Sequence, residues 1–270
     1  MNQLRNYFVL AVLVLSACIL YILKSKPDEP APTTKIVTIP KIEIEIEEDV
    51  RGNIVIIIDD FGYRDDKVSE GFLLLDANLT FAVIPGHQNS KVFAAKAKQR
   101  GFEVIVHMPM ESTTKTKGEK EYMLSTSMTS SEIENRVEQV IAEFPEAVGM
   151  NNHQGSKATA DKRIMNIVSN ILKRHGKYFI DSRTTAESIA ETTMRSRGIP
   201  TMRRHVFLDN ENKKTKIREQ LYKLVDKAES KGLGVGIGHA KRNTFEVLKE
   251  EIPKLKEYGF KFRFASFSVK

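Results

Sequence analysis

The chain has 270 residues, a length that suits one large domain with an appendage or two small domains. Of these residues 41% are hydrophobic and 29% are charged, as in ordinary globular proteins, and the net charge is +7. Lys and Arg are mixed with Glu and no zinc-finger spacing occurs, which favours a solvated surface over a nucleic-acid partner. The single cysteine, Cys18, excludes an intramolecular disulfide and a cysteine-rich metal site.

Residues 1–23 form an apolar segment that predicts attachment to a membrane. The apolar run extends from Tyr7 to Leu23, near the shortest length that spans a bilayer as a helix. An uncleaved signal-anchor helix is the favoured interpretation. The alternative is a bacterial lipoprotein signal, in which Cys18 at the end of LSAC is lipidated. Both place the rest of the chain on the outer face of a membrane, beyond a proline-rich, charged linker at residues 24–50.

Short apolar runs alternate with amphipathic stretches over residues 51–270, which predicts one α/β domain. One helix is expected to start near Ser131, because Glu134 follows at the spacing of a capping box. Strands that alternate with helices predict a barrel of mainly parallel strands. The predicted strands are NIVIIID, LTFAVIP, FEVIVHMP, AVGMNNH, YFIDS, RRHVFLD, LGVGIGHA and FKFRFAS. The alternating glycines of LGVGIGHA indicate close approach of a backbone or a ligand, and not a dinucleotide fingerprint.

Acidic residues and histidines stand at the carboxyl ends of several predicted strands. In a parallel barrel these ends lie on one rim, where active sites are built. A lone histidine at a strand end is usually structural, but the convergence of several strands predicts a functional site. The residues are Asp59, Asp60, His107, His153, Asp181 and His239.

The residue types at this rim suit a divalent metal ion, most simply Zn²⁺. In the pair Asp59 and Asp60, one carboxylate is expected to bind the ion while the other takes a proton from an activated water. The alternative for this pair is an Asx-turn at the strand exit. His239 is a candidate general acid. Arg183, two residues after Asp181, is a candidate for orienting a carboxylate or binding an anionic part of a substrate.

In their order along the chain, five sequence motifs resemble those of the NodB-homology polysaccharide deacetylases. The motifs are IIIDDFG, GFEVIVH, GMNNHQGS, FIDSRT and GVGIGHA. The resemblance covers residues 53–268 and is strongest to the divergent branch, which occurs in bacteria as membrane-tethered or exported proteins. It implies a distorted (β/α) barrel of about seven parallel strands and metal-dependent hydrolysis of the amide bond of N-acetylated sugars.

The resemblance also implies a set of metal ligands. Asp60 corresponds to the metal-binding acid of the first motif, and His107 to a metal-binding histidine. The common pattern has a second histidine four residues after His107, where this chain has Glu111. His153, in a motif typical of the divergent branch, is therefore the expected third ligand.

Catalytic roles follow from the same resemblance. Asp59 is the expected base and His239 the expected acid, while Asp181 and Arg183 shape the site. The expected substrate is a cell-envelope or secreted polysaccharide, and the expected location is the extracytoplasmic face of a bacterial membrane.

Two other functions stay open. One is an inactive barrel that binds a glycan or an envelope partner protein, and the other is a metallohydrolase for a different bond, such as a phosphoester. The chain has no tryptophan, so stacking against a sugar ring would use Phe61 and Tyr63 beside the paired acids. A metal-dependent deacetylase is the favoured prediction.

Overall fold

The computed structural model describes residues 2–24, 50–114 and 119–269. The chain divides into two compact units, Met1–Ile46 and Glu47–Lys270. Nearly all of the predicted linker lies outside the described residues.

The described part of the first unit is the helix α1 (Asn2–Lys24). Its side chains from Val12 to Leu23 are exposed, and so is Cys18. Within the described residues, no helix is both long enough and apolar enough to cross a membrane. Attachment to a membrane therefore stays a prediction.

The second unit is built on one sheet of nine strands, in which every pairing is parallel. The strands lie in the order β6-β5-β4-β3-β2-β1-β8-β7, and β9 pairs with the first half of β1. This confirms the predicted distorted barrel of parallel strands. In chain order the strands are β1 (Gly52–Phe61), β2 (Thr80–Val83), β3 (Glu103–Met110), β4 (Gly149–Gln154), β5 (Tyr178–Asp181), β6 (Thr201–Arg203), β7 (Val206–Phe207), β8 (Leu233–His239) and β9 (Phe260–Arg263).

The strand count exceeds the prediction because the run RRHVFLD does not form one strand. Within it the chain leaves β6 at one end of the sheet and joins β7 at the other end. The Arg204 amide donates to the Asp181 carbonyl on β5, whereas the His205 amide donates to the Val235 carbonyl on β8. Two consecutive residues therefore bridge the open side of the barrel.

Helices follow most strands and cover the outer face of the sheet. The capping box of α4 is formed by Thr129 and Glu132, two residues before the predicted pair, because Glu134 instead pairs with Arg174 on α5. The helices are α2 (Lys67–Phe72), α3 (Ser90–Gln99), α4 (Ser130–Glu143), α5 (Lys162–Arg174), α6 (Ala190–Ser196), α7 (Lys214–Lys231), α8 (Arg242–Glu257) and α9 (Ala265–Ser268), with a 3₁₀ turn at Ala158–Ala160.

The central strand β1 is buried on both faces, as its apolar run predicts. Ile54, Ile56 and Ile58 belong to the large core between sheet and helices. Val55 and Ile57 belong to a smaller core inside the barrel. All five are fully buried, so the carboxyl end of β1 is held rigidly where its two acids emerge.

The glycines of β8 allow a helix, and not a ligand, to pack closely against the strand. A Cβ atom at Gly234 would lie 2.6 Å from the carbonyl oxygen of Leu224 on α7, and one at Gly236 would lie 2.7 Å from the Leu224 side chain. Any larger residue would push α7 away, so these glycines set the helix-to-strand distance.

Candidate active site

Three strand ends bring Asp60, His107 and His153 together. The Oδ1 atom of Asp60 lies 3.4 Å from Nε2 of His107 and 3.3 Å from Nδ1 of His153. The two ring nitrogens are 3.1 Å apart. A carboxylate oxygen and two imidazole nitrogens that meet at one point form the donor set of a divalent metal site.

The electrostatics of this cluster fit a cation. Asp60 Oδ1 is buried and receives no hydrogen bond of acceptable geometry from any described residue. Burial alone would raise the pKa of Asp60, but His107 and His153 outweigh it and hold the pKa well below its usual range. Burial opposes the charged form of His107, yet Asp59 and Asp60 raise the pKa of its imidazole to about 9. The carboxylates thus favour positive charge at this point, which a divalent ion would supply.

Asn151 orients His107. It lies opposite His107 in the ladder between β3 and β4, and its Oδ1 accepts a hydrogen bond of 2.7 Å from His107 Nδ1. This leaves the lone pair of His107 Nε2 on the side of Asp60. The same Asn151 donates from Nδ2 to Asp59 Oδ1 at 2.9 Å. Sequence analysis missed Asn151, because no motif shows which residue of β4 faces His107.

Asp59 has one anchored oxygen and one that faces the cluster. Asn151 holds Oδ1, while Oδ2 lies 3.6 Å from His107 Nε2. Burial raises the pKa of Asp59 in spite of the nearby His107 and His239. A carboxylate with a raised pKa beside a metal site is suited to accept a proton. In the described structure no backbone N–H of the following turn donates to Asp59 or Asp60, which argues against the Asx-turn interpretation.

His239 forms a pair with Asp209. Its Nδ1 lies 2.8 Å from Asp209 Oδ1, and its Nε2 lies 3.9 Å from Asp60 Oδ2. Asp209 is fully buried and also accepts hydrogen bonds from the His239 amide and the Thr244 hydroxyl. Burial opposes protonation of His239, but Asp209 outweighs it and raises the pKa. Sequence analysis missed Asp209, although it ends the predicted run RRHVFLD and the strand-end signal would have found it.

Asp181 and Arg183 lie close in the chain but have different structural roles. The Asp181 carboxylate accepts hydrogen bonds of 2.8 Å from the Arg183 amide and the Ser188 hydroxyl. It therefore braces the loop after β5 and does not line the cavity at the metal cluster. The Arg183 side chain does line that cavity, which also contains Asp59 and His239 and has a volume of about 400 Å³.

Glu111 stands apart from the metal cluster. Its carboxylate binds Lys157 Nζ at 2.7 Å, and it accepts hydrogen bonds from the Thr126 amide and hydroxyl and from the Ser125 hydroxyl. Burial opposes ionisation, but these donors lower the pKa of Glu111 to about 2. Glu111 thus fastens the segment after β3, and His153 occupies the place expected for a third ligand.

Of the two aromatic residues proposed for sugar stacking, only Tyr63 is available. The expectation for Phe61 is wrong, because its buried ring stacks on Phe93 with centroids 3.9 Å apart. Tyr63 is 41% exposed, lines a second cavity beside Asp60, and donates its hydroxyl proton to Glu119.

Backbone strain is concentrated at this rim. Among the described residues, four that are not glycine have a positive φ angle, and they are Asp60 (69°), Glu119 (43°), Gln154 (56°) and Arg183 (51°). Such conformations cost roughly 1 kcal/mol or more each and cluster at functional sites. At Asp60 the left-handed turn re-aims the chain, so that adjacent carboxylates serve different partners.

Comparison with known proteins agrees with this geometry. A family model described as divergent polysaccharide deacetylase matches residues 56–268. The chain belongs to this family. The resemblance expected from the five motifs is thereby confirmed, and the matched range begins inside β1 and ends in α9.

A relative and two structural neighbours agree with this membership. The chain is 35% identical to the uncharacterized protein YibQ of Escherichia coli over 76% of its length, and the match spans 63% of that protein's length. The crystal structure of the uncharacterized protein ATU2773 from Agrobacterium tumefaciens superposes with a TM-score of 0.76 at 18% identity, covering 81% of this chain and 89% of that one.

A third neighbour is a mutant of BA3943 from Bacillus anthracis, described as a CE4 family pseudoenzyme with restored enzymatic activity. It superposes with a TM-score of 0.52 at 15% identity, covering 82% of this chain and 68% of that one. At these identities the two structural matches establish the shared fold.

Proposed function

We propose that this protein is a metal-dependent hydrolase that removes acetyl groups from N-acetylated sugars of a cell-envelope or secreted polysaccharide. The observation that carries the proposal is the convergence of Asp60, His107 and His153 around a buried oxygen that has no hydrogen bond. A base candidate, Asp59, and an acid candidate, His239, line the adjoining cavity. Membership of the deacetylase family supports the same substrate class.

Asp60, His107 and His153 would hold the ion, for which Zn²⁺ is the simplest candidate given two nitrogens and one oxygen. When bound, a divalent ion supplies Lewis acidity that activates a water and polarises the acetyl carbonyl. Asn151 fixes both His107 and Asp59, so the ligand and the base keep a constant separation.

The reaction needs a proton acceptor and a proton donor on opposite sides of the amide. Asp59 Oδ2 takes a proton from the attacking water while the water oxygen forms a bond to the acetyl carbon. His239, whose pKa is raised by Asp209, donates its Nε2 proton to the amide nitrogen as the C–N bond breaks. The products are acetate and a free amino sugar. Asp59 then releases its proton to solvent and His239 takes up a proton from solvent, which returns both residues to their starting states.

The test is acetate release by the purified full-length chain, combined with metal analysis. We expect near-stoichiometric divalent metal and release of acetate from an N-acetylglucosamine polymer. Asp59→Asn should keep the metal and lose at least about 100-fold in rate, whereas Asp65→Asn, an exposed acid paired with Lys96, should retain both. Wild-type protein that holds metal yet releases no acetate from several glycans would contradict the proposal.

A second candidate is a barrel that binds glycan without catalysis. It is favoured by one observation: Glu111 occupies the position of a common metal-binding histidine and is committed to Lys157 and Thr126. The existence of a CE4 family pseudoenzyme with this fold supports the same possibility. Glycan binding that survives Asp59→Asn, without acetate release by wild-type protein, would establish it. Phosphoester substrates in the same assay would detect a metallohydrolase of another specificity.

We also propose that the N-terminal segment tethers the catalytic domain to the outer face of a bacterial membrane. The exposed apolar side chains of α1 from Val12 to Leu23 support this. Fractionation should place the full chain with membranes, and removal of residues 1–23 should release it. Cys18→Ser separates the two modes of attachment, because it abolishes lipidation but leaves a signal-anchor helix intact.

A further inference from the structure

The cavity at the metal cluster has a cationic lining beyond the residues assigned to hydrolysis. Besides Asp59 and the three histidines, it is lined by Arg183, Arg204 and Phe207. Its volume of about 400 Å³ lies near the lower end for small-molecule sites, which suits one substituted sugar. The proposed hydrolytic mechanism uses neither the Arg183 nor the Arg204 guanidinium.

Arg204 is a partly buried cation that forms no ion pair within the described residues. Its Nε donates to the Ser182 carbonyl at 2.7 Å and an Nη atom donates to the Arg183 carbonyl at 3.0 Å. Its guanidinium lies 4.8 Å from the centre of the Phe207 ring. Burial lowers the pKa of Arg204, against the opposing influence of Asp59 and Asp181. An arginine nevertheless stays charged, so the cavity holds a fixed positive charge.

Arg183 adds a second charge with most of its donors unused. Its backbone is fastened by the hydrogen bond from its amide to Asp181, in a left-handed conformation. Its guanidinium makes one long hydrogen bond of 3.4 Å, to the Ser188 carbonyl. The backbone is therefore fixed while the fork of N–H groups is available to a ligand.

Ser182, which precedes Arg183 and also lines the cavity, carries a buried hydroxyl without a partner among the described residues. Ser182 is 6% exposed, and its Oγ has no hydrogen-bond partner. Among the described residues, only one other buried side-chain oxygen or nitrogen lacks a partner, namely Asp60 Oδ1 in the metal cluster. Leaving such a group unpaired costs about 1–3 kcal/mol.

We propose that this cavity binds an acidic group of the substrate, a carboxylate or a phosphate on the glycan near the acetylated nitrogen. The inference rests on the proposed function and specifies its substrate class as an acidic polysaccharide. The unused donors of Arg183 and the fixed charge of Arg204 match the acceptor oxygens of such a group, and a neutral sugar would leave both charges unpaired. Arg183 and Arg204 are then residues that determine specificity.

The experiment compares three N-acetylated oligosaccharides of equal length with the full-length, metal-loaded chain. One is an oligomer of N-acetylglucosamine, the second alternates N-acetylglucosamine with glucuronic acid, and the third carries phosphodiesters. We expect kcat/KM to be at least about 10-fold higher for one acidic oligomer than for the neutral one, mainly through KM, and to lose this preference at high salt. The better of the two acidic oligomers identifies the natural group.

The variants assign that preference to residues. Arg204→Gln and Arg183→Gln should each lower the ratio of acidic to neutral kcat/KM by about 10-fold or more. The control is Arg203→Gln, because Arg203 is adjacent in the chain but is exposed, lies 3.6 Å from Glu191 and does not line the cavity. Arg204→Lys, which keeps the charge, should restore part of the ratio.

Three results would overturn the inference. They are a wild-type preference for the neutral oligomer, equal rates on all three, or a loss in Arg204→Gln that is the same for every substrate. The last would mean that Arg204 supports Asp59 and not the ligand. Should Arg204→Gln fail to fold, Arg183→Gln decides, because its guanidinium makes only one long hydrogen bond.

Calorimetric binding of the same oligosaccharides separates this inference from the proposed function. If no glycan releases acetate, the proposed hydrolase function is refuted. Tighter binding of an acidic oligomer than of the neutral one, lost in Arg183→Gln, would still support the site for an acidic group. Conversely, acetate release without any preference in rate or binding would retain the hydrolase and refute the site.

Discussion

The two ends of the sheet differ in whether their buried polar groups have hydrogen-bond partners. At the amino end, Glu103 at the start of β3 accepts hydrogen bonds from Thr80 at 2.9 Å, Tyr178 at 2.8 Å and the Ser266 amide at 3.1 Å. These donors come from the starts of β2 and β5 and from α9. One carboxylate thereby ties three elements together, and every member of the group has a partner.

At the carboxyl end, by contrast, some buried polar groups lack a hydrogen-bond partner among the described residues. Both of the described buried side-chain atoms that lack a partner, Asp60 Oδ1 and Ser182 Oγ, are found there. So are the four strained residues with positive φ. Satisfied groups stabilise the fold, whereas unsatisfied ones represent stability given up for a ligand. Mutations at the amino end should therefore mainly lower the stability of the fold, whereas mutations at the carboxyl end should mainly lower ligand binding and reaction rate.

The largest effect is expected for Asp60→Asn at the carboxyl end. Loss of the anionic oxygen should abolish stoichiometric metal and lower acetate release by at least about 10³-fold, because the activating ion is lost. Without metal, the free energy of unfolding should also fall, because, against the effect of burial, His107 and His153 lower the pKa of Asp60 and thereby stabilise its charge in the folded protein. Elemental analysis, acetate assays and urea titration measure the three quantities. Retention of full metal content would remove Asp60 from the site.

The next largest effect is expected for Glu103→Ala at the amino end. It leaves the hydroxyl of Tyr178, a buried residue, without a partner and should lower the free energy of unfolding by about 2–3 kcal/mol. Metal content should stay at the wild-type level. The matched control is Glu229→Ala, an exposed acid paired with Arg51, which should cost less than about 1 kcal/mol. A Glu103→Ala protein as stable as this control would refute the contrast between the two ends.

Asp209→Asn tests the pair at His239. Metal content should not change, but kcat should fall by about 10–100-fold because the proton donor is less well oriented and charged. Asp209 raises the pKa of His239, so its loss lowers that pKa and the alkaline limb of the rate profile should move to lower pH. Asp226→Asn, an exposed change on α7, is the control. An unmoved alkaline limb would show that His239 is not the acid.

The smallest effect is expected for Glu111→Gln, beside the site but outside the metal cluster. Because the folded pKa of about 2 lies below the ordinary value of 4.5, the carboxylate contributes stability that is complete above pH 4.5 and is lost as pH falls towards 2. Wild type should exceed Glu111→Gln by about 1–2 kcal/mol at pH 7 and by almost nothing at pH 2. Urea titrations at several pH values, with the exposed Glu219→Gln as control, measure the difference. A constant difference across this range would mean that the hydrogen bonds of Glu111 do not depend on its charge.

Much of the fold was predictable because its signals are local. The five consecutive apolar residues of β1 predict a strand buried on both faces, and they form one. The crossing at Arg204 and His205 was not predictable, because no glycine, proline or other local turn signal divides the run RRHVFLD. Only pairing with β5 on one side and β8 on the other splits it into β6 and β7.

The candidate site divides in the same way. Strand direction alone predicted that Asp60, His107 and His153 lie on one rim, and the resemblance to the deacetylases named these three as metal ligands. Asn151 and Ser182 were missed because nothing local distinguishes them. Asn151 acts on residues 44 and 92 positions away, and its contacts depend on the register between β3 and β4.

The amino-acid sequence by itself determined the family, through the resemblance of its five motifs. It also determined the parallel barrel and the rim on which acids and histidines gather, because apolar periodicity and strand direction are properties of short segments. Only the tertiary structure decided which of these groups share a point in space, and that Phe61 is core. It also decided that Asp181 and Glu111 brace loops and that two arginines line the cavity at the metal cluster. The physical reason is that hydrogen-bond satisfaction and charge pairing depend on atoms brought together from distant parts of the chain.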